Sequence, residues 1–157
     1  MGSFNDFLDA EFRPPRNWSL NAPLKFKSAT LTKEERELLV ERGIQVTKTT
    51  STITVPKGYI TDLASVPRVC WAFIAPFDCA RAAVVHDIMY EKINGAFKKG
   101  IIESKAEREI YRKIADNMFL EGMQSAEPPV PVWKQQAAYR AVRAFGRWAI
   151  NSSAPRG

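Results

Sequence analysis

GYITDLASVPR, residues 58–68, and VVHDIMYE, residues 84–91, mark where the sequence turns from strand-forming to helix-forming. Upstream, Ile44-Gln45-Val46 and Ile53-Thr54-Val55 read as two strands across a polar turn, Lys48–Ser51. Pro56-Lys57-Gly58 ends that sheet portion. Earlier still, Thr32-Lys33-Glu34-Glu35 forms a capping box, with the helix LTKEERELLVERG behind it and Gly43 as its stop. Leu24 and Phe26 alternate with lysines, as in a half-buried strand.

Downstream, Pro67 is placed to open a helix, and a short apolar helix with Trp71 and Phe73 is expected to stop at Pro76. Cys79 to Asn94 reads as a long helix closed by Gly95. Ser104-Lys105-Ala106-Glu107 is a second capping box, opening a helix to about Gly122. Glu127-Pro128-Pro129-Val130-Pro131 is a stiff connector, and Val132 to Ile150 the last helix. The order implies an α+β fold, a small antiparallel sheet followed by three to four helices. Residues 23–150 are expected to form one domain. Residues 1–22 read as a polar N-terminal arm holding Phe4, Phe7, Phe12 and Trp18 around the break Pro14–Pro15. Four aromatics are poorly placed in solvent, so the arm should pack on the domain or on another subunit. Residues 151–157 should form a frayed tail.

The chain has 157 residues, 45% hydrophobic and 25% charged, which suits one domain with its own core. No run approaches the roughly 18 apolar residues of a membrane-spanning helix. The opening MGSFNDFLDAEFRPP has no apolar signal core, and Asp6 stands where a myristoylation motif takes Ser or Thr. A reducing cytoplasm is the expected place of synthesis. Cys70 and Cys79 lack metal-type spacing and read as small buried hydrophobes. The net charge of +6 permits attraction to nucleic acid, anionic lipid or an acidic protein and selects none of them.

His86 is the single histidine, which excludes a three-histidine zinc site. On a helix it shares a face with Ala82, Ala83, Met89 and Tyr90, while Asp87 lies beside Ala83, Tyr90 and Glu91. His86 and Asp87 are read first as a buried pair locking the helix against the TDLASVP loop, and second as catalytic groups with Tyr90. Asp62 and Ser65 suit turn-building. A sharper reading has both facing His86, with a Ser65–His86–Asp triad, although the G-x-S-x-G elbow is missing. Glu107 fits the N3 place of its capping box, with metal ligation as a second role, and Asp116 is expected to be solvated. Arg140, Arg143 and Arg147 form a basic stripe that reads as the solvated side of an amphipathic helix, or as a contact to nucleic acid or anionic lipid.

Two resemblances add to this. His86-Asp87-Ile88-Met89-Tyr90 resembles the H-D-x-x-Y active-site helix of secreted phospholipase A2 enzymes. The resemblance implies His86 as general base for a water, Asp87 as a calcium ligand and Tyr90 as a supporting hydrogen bonder. VPKGYITDLASVPR, then Trp71, AAVVHDIMYE, SKAE and AYRAVRAFG together resemble a phage and prophage family catalogued as domain of unknown function 1353. Its pattern is G-x-x-T-D-x-x-S-x-P, then H-D-x-x-Y, then a helix S-x-A-x-A-D, whose aspartate is matched here to Glu107. The likeness spans roughly residues 24 to 148. It implies phage origin and a location among virion or lysis genes. The aromatic arm, stiff Pro connector and compact domain then suit a virion-associated accessory or structural protein of tail, baseplate or portal, whose partners are other virion proteins. The alternative is a metal-dependent hydrolase of lipid or cell-wall material using His86 and Asp87 with calcium. A third reading, resting on the arginine stripe alone, is a host-directed binding protein.

Overall fold

A computed structural model describes residues 2–44, 46–47, 49–67, 76–126 and 130–152, with the backbone alone at 76–78 and 147–152. Among these residues the chain is α+β, with two three-stranded antiparallel sheets and four helices. One sheet has the order β1-β4-β5, from Ser3–Phe4, Leu24–Lys27 and Thr52–Val55. The other has the order β2-β3-β6, from Ala10–Arg13, Asn17–Leu20 and Ile60–Thr61. Helix α1 (Lys33–Glu41) lies between β4 and β5. Helices α2 (Pro76–Lys98), α3 (Lys105–Gln124) and α4 (Val132–Ser152) follow the sheets.

The alternation expected around Phe26 is present. Leu24 and Phe26 are buried while Lys25 and Lys27 are exposed, and Leu24 pairs with Val55 and Phe26 with Ile53. The first capping box closes fully, Thr32 accepting from the Glu35 N–H and Glu35 from the Thr32 N–H. Gly43 then ends α1 at φ +76°, a left-handed conformation that costs glycine little. Ile44 and Val46 do enter the core, but not as a strand. The expected pairing shrinks to a bridge between Thr47 and Thr52, because the Ser51 N–H turns back to the Thr47 carbonyl.

The segment read as an arm is built into both sheets. β1 pairs with β4 and β3 with β6. Phe4 stacks on Phe26 at 4.7 Å, and the Arg81 guanidinium lies 4.6 Å over the Phe4 ring. The expected helix around Trp71 and Phe73 lies outside the described residues, as do Glu127 to Pro129 and most of the tail. Pro76 itself lies in α2.

Gly95 does not end α2. The helix runs on to Lys98 and stops at Gly100, φ +77°, with the N–H groups of Ile101 and Ile102 returning to the Ala96 carbonyl. From Ala82 to Tyr90 every residue of α2 is buried. A helix buried on all sides sits in the middle of a fold, and α2 packs against the β4–β5 sheet, α3 and α4. Gly122 permits the close approach of α3, since a Cβ there would lie 2.8 Å from Ala82 Cβ.

Gly122→Ala should therefore cost roughly 1–3 kcal/mol by overpacking. Gly95→Ala faces open space inside a helix and should stabilise by about 0.5–1 kcal/mol. Urea unfolding midpoints of the two variants should move in opposite directions from wild type.

Candidate functional site

Placing α2 at the centre of the fold buries His86, Asp87 and Asn94, and each must find partners there. His86 is 1% exposed. Its Nε2 lies 2.6 Å from Asp116 Oδ1 on α3, and its Nδ1 lies 2.9 Å from Ser65 Oγ in the loop after β6. Asp116 is fully buried and also accepts from Tyr90 Oη at 2.5 Å and Arg143 Nη1 at 2.8 Å. Burial pushes the Asp116 carboxyl pKa up, but the bonds and charges of His86, Tyr90 and Arg143 outweigh it and hold the pKa below the ordinary value. An ionised Asp116 only accepts, so Nε2 donates to it; this hydrogen is assigned from the partners. The Tyr90 phenol is pushed far up, first by burial and then by the Asp116 charge, and its ring lies 4.1 Å from that of His86.

Two arginines surround this carboxylate. Arg112 is buried and grips Glu109 bidentately, Nε to Oε2 at 2.7 Å and Nη2 to Oε1 at 2.8 Å. It also donates to the carbonyls of Val142 at 2.9 Å and Arg143 at 3.0 Å, tying α3 to α4. Arg143 bridges Asp116 and Glu109, with Nη2 2.6 Å from Glu109 Oε1. Two guanidiniums thus face two carboxylates. Gly146 leaves the space: a Cβ there would sit 2.5 Å from Tyr90 Oη.

Asp87 faces a different direction. Its Oδ2 accepts from Thr61 Oγ1 at 2.5 Å and Tyr59 Oη at 3.2 Å, and its Oδ1 from the Ser65 N–H at 3.2 Å. Thr61 Oγ1 in turn accepts from the Leu63 N–H, and Asp62 from the Ala64 N–H, the two side chains bracketing the turn. Leu63 sits at φ +59°, a strained conformation for a side chain of that size. His86 and Asp87 therefore hold the same residue, Ser65, one by its hydroxyl and the other by its backbone.

Several sequence expectations are revised by this geometry. Asp116, expected in solvent, is the acid that His86 contacts, and Asp87 serves the loop instead. Asp62 shapes its own turn. Glu107 completes only half a capping box: it takes the Ser104 cap through its own N–H, while its carboxylate accepts from the Glu103 N–H and from Arg42 Nε at 2.7 Å. Arg143 leaves the expected stripe to pair inside, Arg140 stays exposed, and the Arg147 side chain lies outside the described residues.

The calcium role implied for Asp87 and Glu107 does not fit these donors. Calcium takes six to eight oxygens. Asp87 is 3% exposed with both oxygens occupied, Glu107 is paired with Arg42, and no group of three metal-type side chains converges among the described residues. Sequence reasoning passed over Asp116, Arg112 and Glu109. The signal for Asp116 was its spacing: Arg112, Asp116, Phe119 and Met123 repeat at helical intervals on one buried face.

The fold and site thus define a small α+β domain whose central helix presents a histidine to a buried carboxylate. A family model described as "Protein of unknown function (DUF1353)" matches residues 37–142, and the chain belongs to that family. No curated protein and no solved structure matches it.

Asp116→Asn leaves the arginines facing a neutral amide and should cost about 3–5 kcal/mol. Asp87→Asn, at the acceptor of the Thr61, Tyr59 and Ser65 bonds, should cost about 1–3 kcal/mol. Denaturant titrations should keep that order. The depressed Asp116 pKa contributes stability that is fully present above the ordinary carboxylate value of 3.8 and is lost as pH falls through the lower folded value. Wild type should therefore lose stability below about pH 4 by more than Asp116→Asn does.

Proposed function

We propose that this chain is a non-catalytic accessory or structural protein of a bacteriophage particle, in which the His86–Asp116 centre holds the fold. The observation that carries the structural role is complete internal satisfaction. Ser65, His86, Asp87 and Asp116 are at most 3% exposed, and among the described residues no buried side-chain nitrogen or oxygen lacks a hydrogen-bond partner. A general base must reach a proton of its substrate within about 3 Å, directly or through one water. Both ring nitrogens of His86 are instead spent on Ser65 and Asp116. Assignment to a particle rests on the likeness to the phage and prophage pattern, and the contacts would be to other virion proteins.

One observation favours a second reading. Ser65, His86 and Asp116 form a hydroxyl–imidazole–carboxylate chain, the order used for nucleophilic hydrolysis. In that reading Ser65 Oγ is the nucleophile, His86 takes its proton, and no metal is needed. The acid is Asp116 and not Asp87.

Mass spectrometry of purified particles from the host that carries the gene should find the chain at a fixed copy number. Absence from particles refutes the first reading. A fluorophosphonate probe should leave the wild type unlabelled; labelling that is lost in Ser65→Ala would move the hydrolase reading ahead of it.

A further inference from the structure

The hairpin of β2 and β3 carries an edge that neither the buried centre nor the core uses. β2 is an outer strand of its sheet. The ladder register and bonds fix which of its backbone groups are free to pair. Leu20 exchanges bonds with the β6 side, donating to the Tyr59 carbonyl and accepting from the Gly58 N–H. Asn21, the next residue, donates to Asp9 on the β2 side. Alternation along Ala10↔Leu20, Glu11↔Ser19, Phe12↔Trp18 and Arg13↔Asn17 then turns the backbones of Glu11 and Arg13 inward to β3. It aims the N–H and C=O of Phe12 outward, away from the sheet.

The side chains divide by the same alternation. Glu11 and Arg13 share one face, Oε2 and Nη2 being 3.9 Å apart. Phe12 lies on the other face against Trp18, with ring centroids 5.0 Å apart, and the two rings are 49% and 39% exposed.

We propose that this edge pairs with the same edge of a second copy of the chain, antiparallel, about a two-fold axis through Phe12. Phe12 then stands opposite the partner's Phe12, and the two exchange both outward backbone bonds. Glu11 falls opposite the partner's Arg13, and Arg13 opposite the partner's Glu11. These are non-hydrogen-bonded positions, where facing side chains come closest, so two opposite-charge pairs form on one face. On the other face Trp18, Phe12 and their two counterparts stand in one row across the joined sheets. The register is selected by charge. Moving the axis to Glu11 sets carboxylate against carboxylate, and moving it to Arg13 sets guanidinium against guanidinium. Pro14, which has no N–H, ends the edge and keeps the pairing short.

The test is sedimentation of the full chain over a concentration range. Wild type should show a reversible monomer–dimer equilibrium. Glu11→Arg should weaken it roughly tenfold or more, since each altered pair becomes like-charged. The double swap Glu11→Arg with Arg13→Glu restores opposite charges across the axis and should recover the wild-type constant. Both residues are exposed, so all variants should melt together with wild type. A wild type monomeric at every concentration, a dimer unaffected by Glu11→Arg, or a double swap that fails to recover would each overturn the proposal.

Discussion

A carboxylate with no exposed surface has to be neutralised where it stands, and Asp116 is neutralised by side chains from three helices. His86 and Tyr90 reach it from α2, Arg112 from its own α3, and Arg143 from α4. Desolvating a lone charge costs several kcal/mol. The helices are thereby held to one relative placement, because sliding any of them would strand a charge in the interior. Apolar contacts alone tolerate such sliding far better. Directional bonds at 2.5–2.8 Å do not.

The same centre reaches the sheets through Ser65. The hydroxyl of Ser65 meets His86 and its amide meets Asp87, so the loop leaving β6 is fixed to α2 at adjacent residues. That fixation is what allows Leu63 to remain at positive φ. Small residues supply the necessary room: Gly122 against Ala82 between α3 and α2, and Gly146 against Tyr90 between α4 and α2. Polar bonds set the angles here, and the glycines set the distances.

How far the sequence revealed all this follows from what each signal depends on. Caps and alternation are local, and they placed α1, α3, α4, β4 and β5 to within a few residues. Gly95 misled because an isolated glycine is the same letter whether it ends a helix or merely lacks a side chain in one; Gly100 ends α2. Strand β1 was missed because its partner, β4, is distant in sequence, whereas the β2–β3 hairpin is local and was missed because Pro14–Pro15 read as a break in an arm. The locking of His86 and Asp87 against the loop was legible, since loop and helix motifs both carry hydrogen-bonding groups. Which acid meets His86 was not. Adjacent residues on a helix point about 100° apart, so Asp87 could not itself be the acid that meets the imidazole, and that acid had to come from another element.

The arginines carry the last lesson of the structure. A net charge of +6 with Arg140, Arg143 and Arg147 in helical register suggests a face for an anionic partner. Yet Arg143 spends its charge on Asp116 and Glu109, Arg112 on Glu109 and two carbonyls of α4, and Arg42 on Glu107. A guanidinium already paired with carboxylates gives up those bonds before it can meet a phosphate, so it adds little to electrostatic attraction. Of the stripe, only Arg140 has an exposed side chain within the described residues. The basic composition is therefore, in part, the counter-charge of a buried acidic centre. The part of the surface with self-complementary chemistry lies at the opposite end of the sequence, on β2.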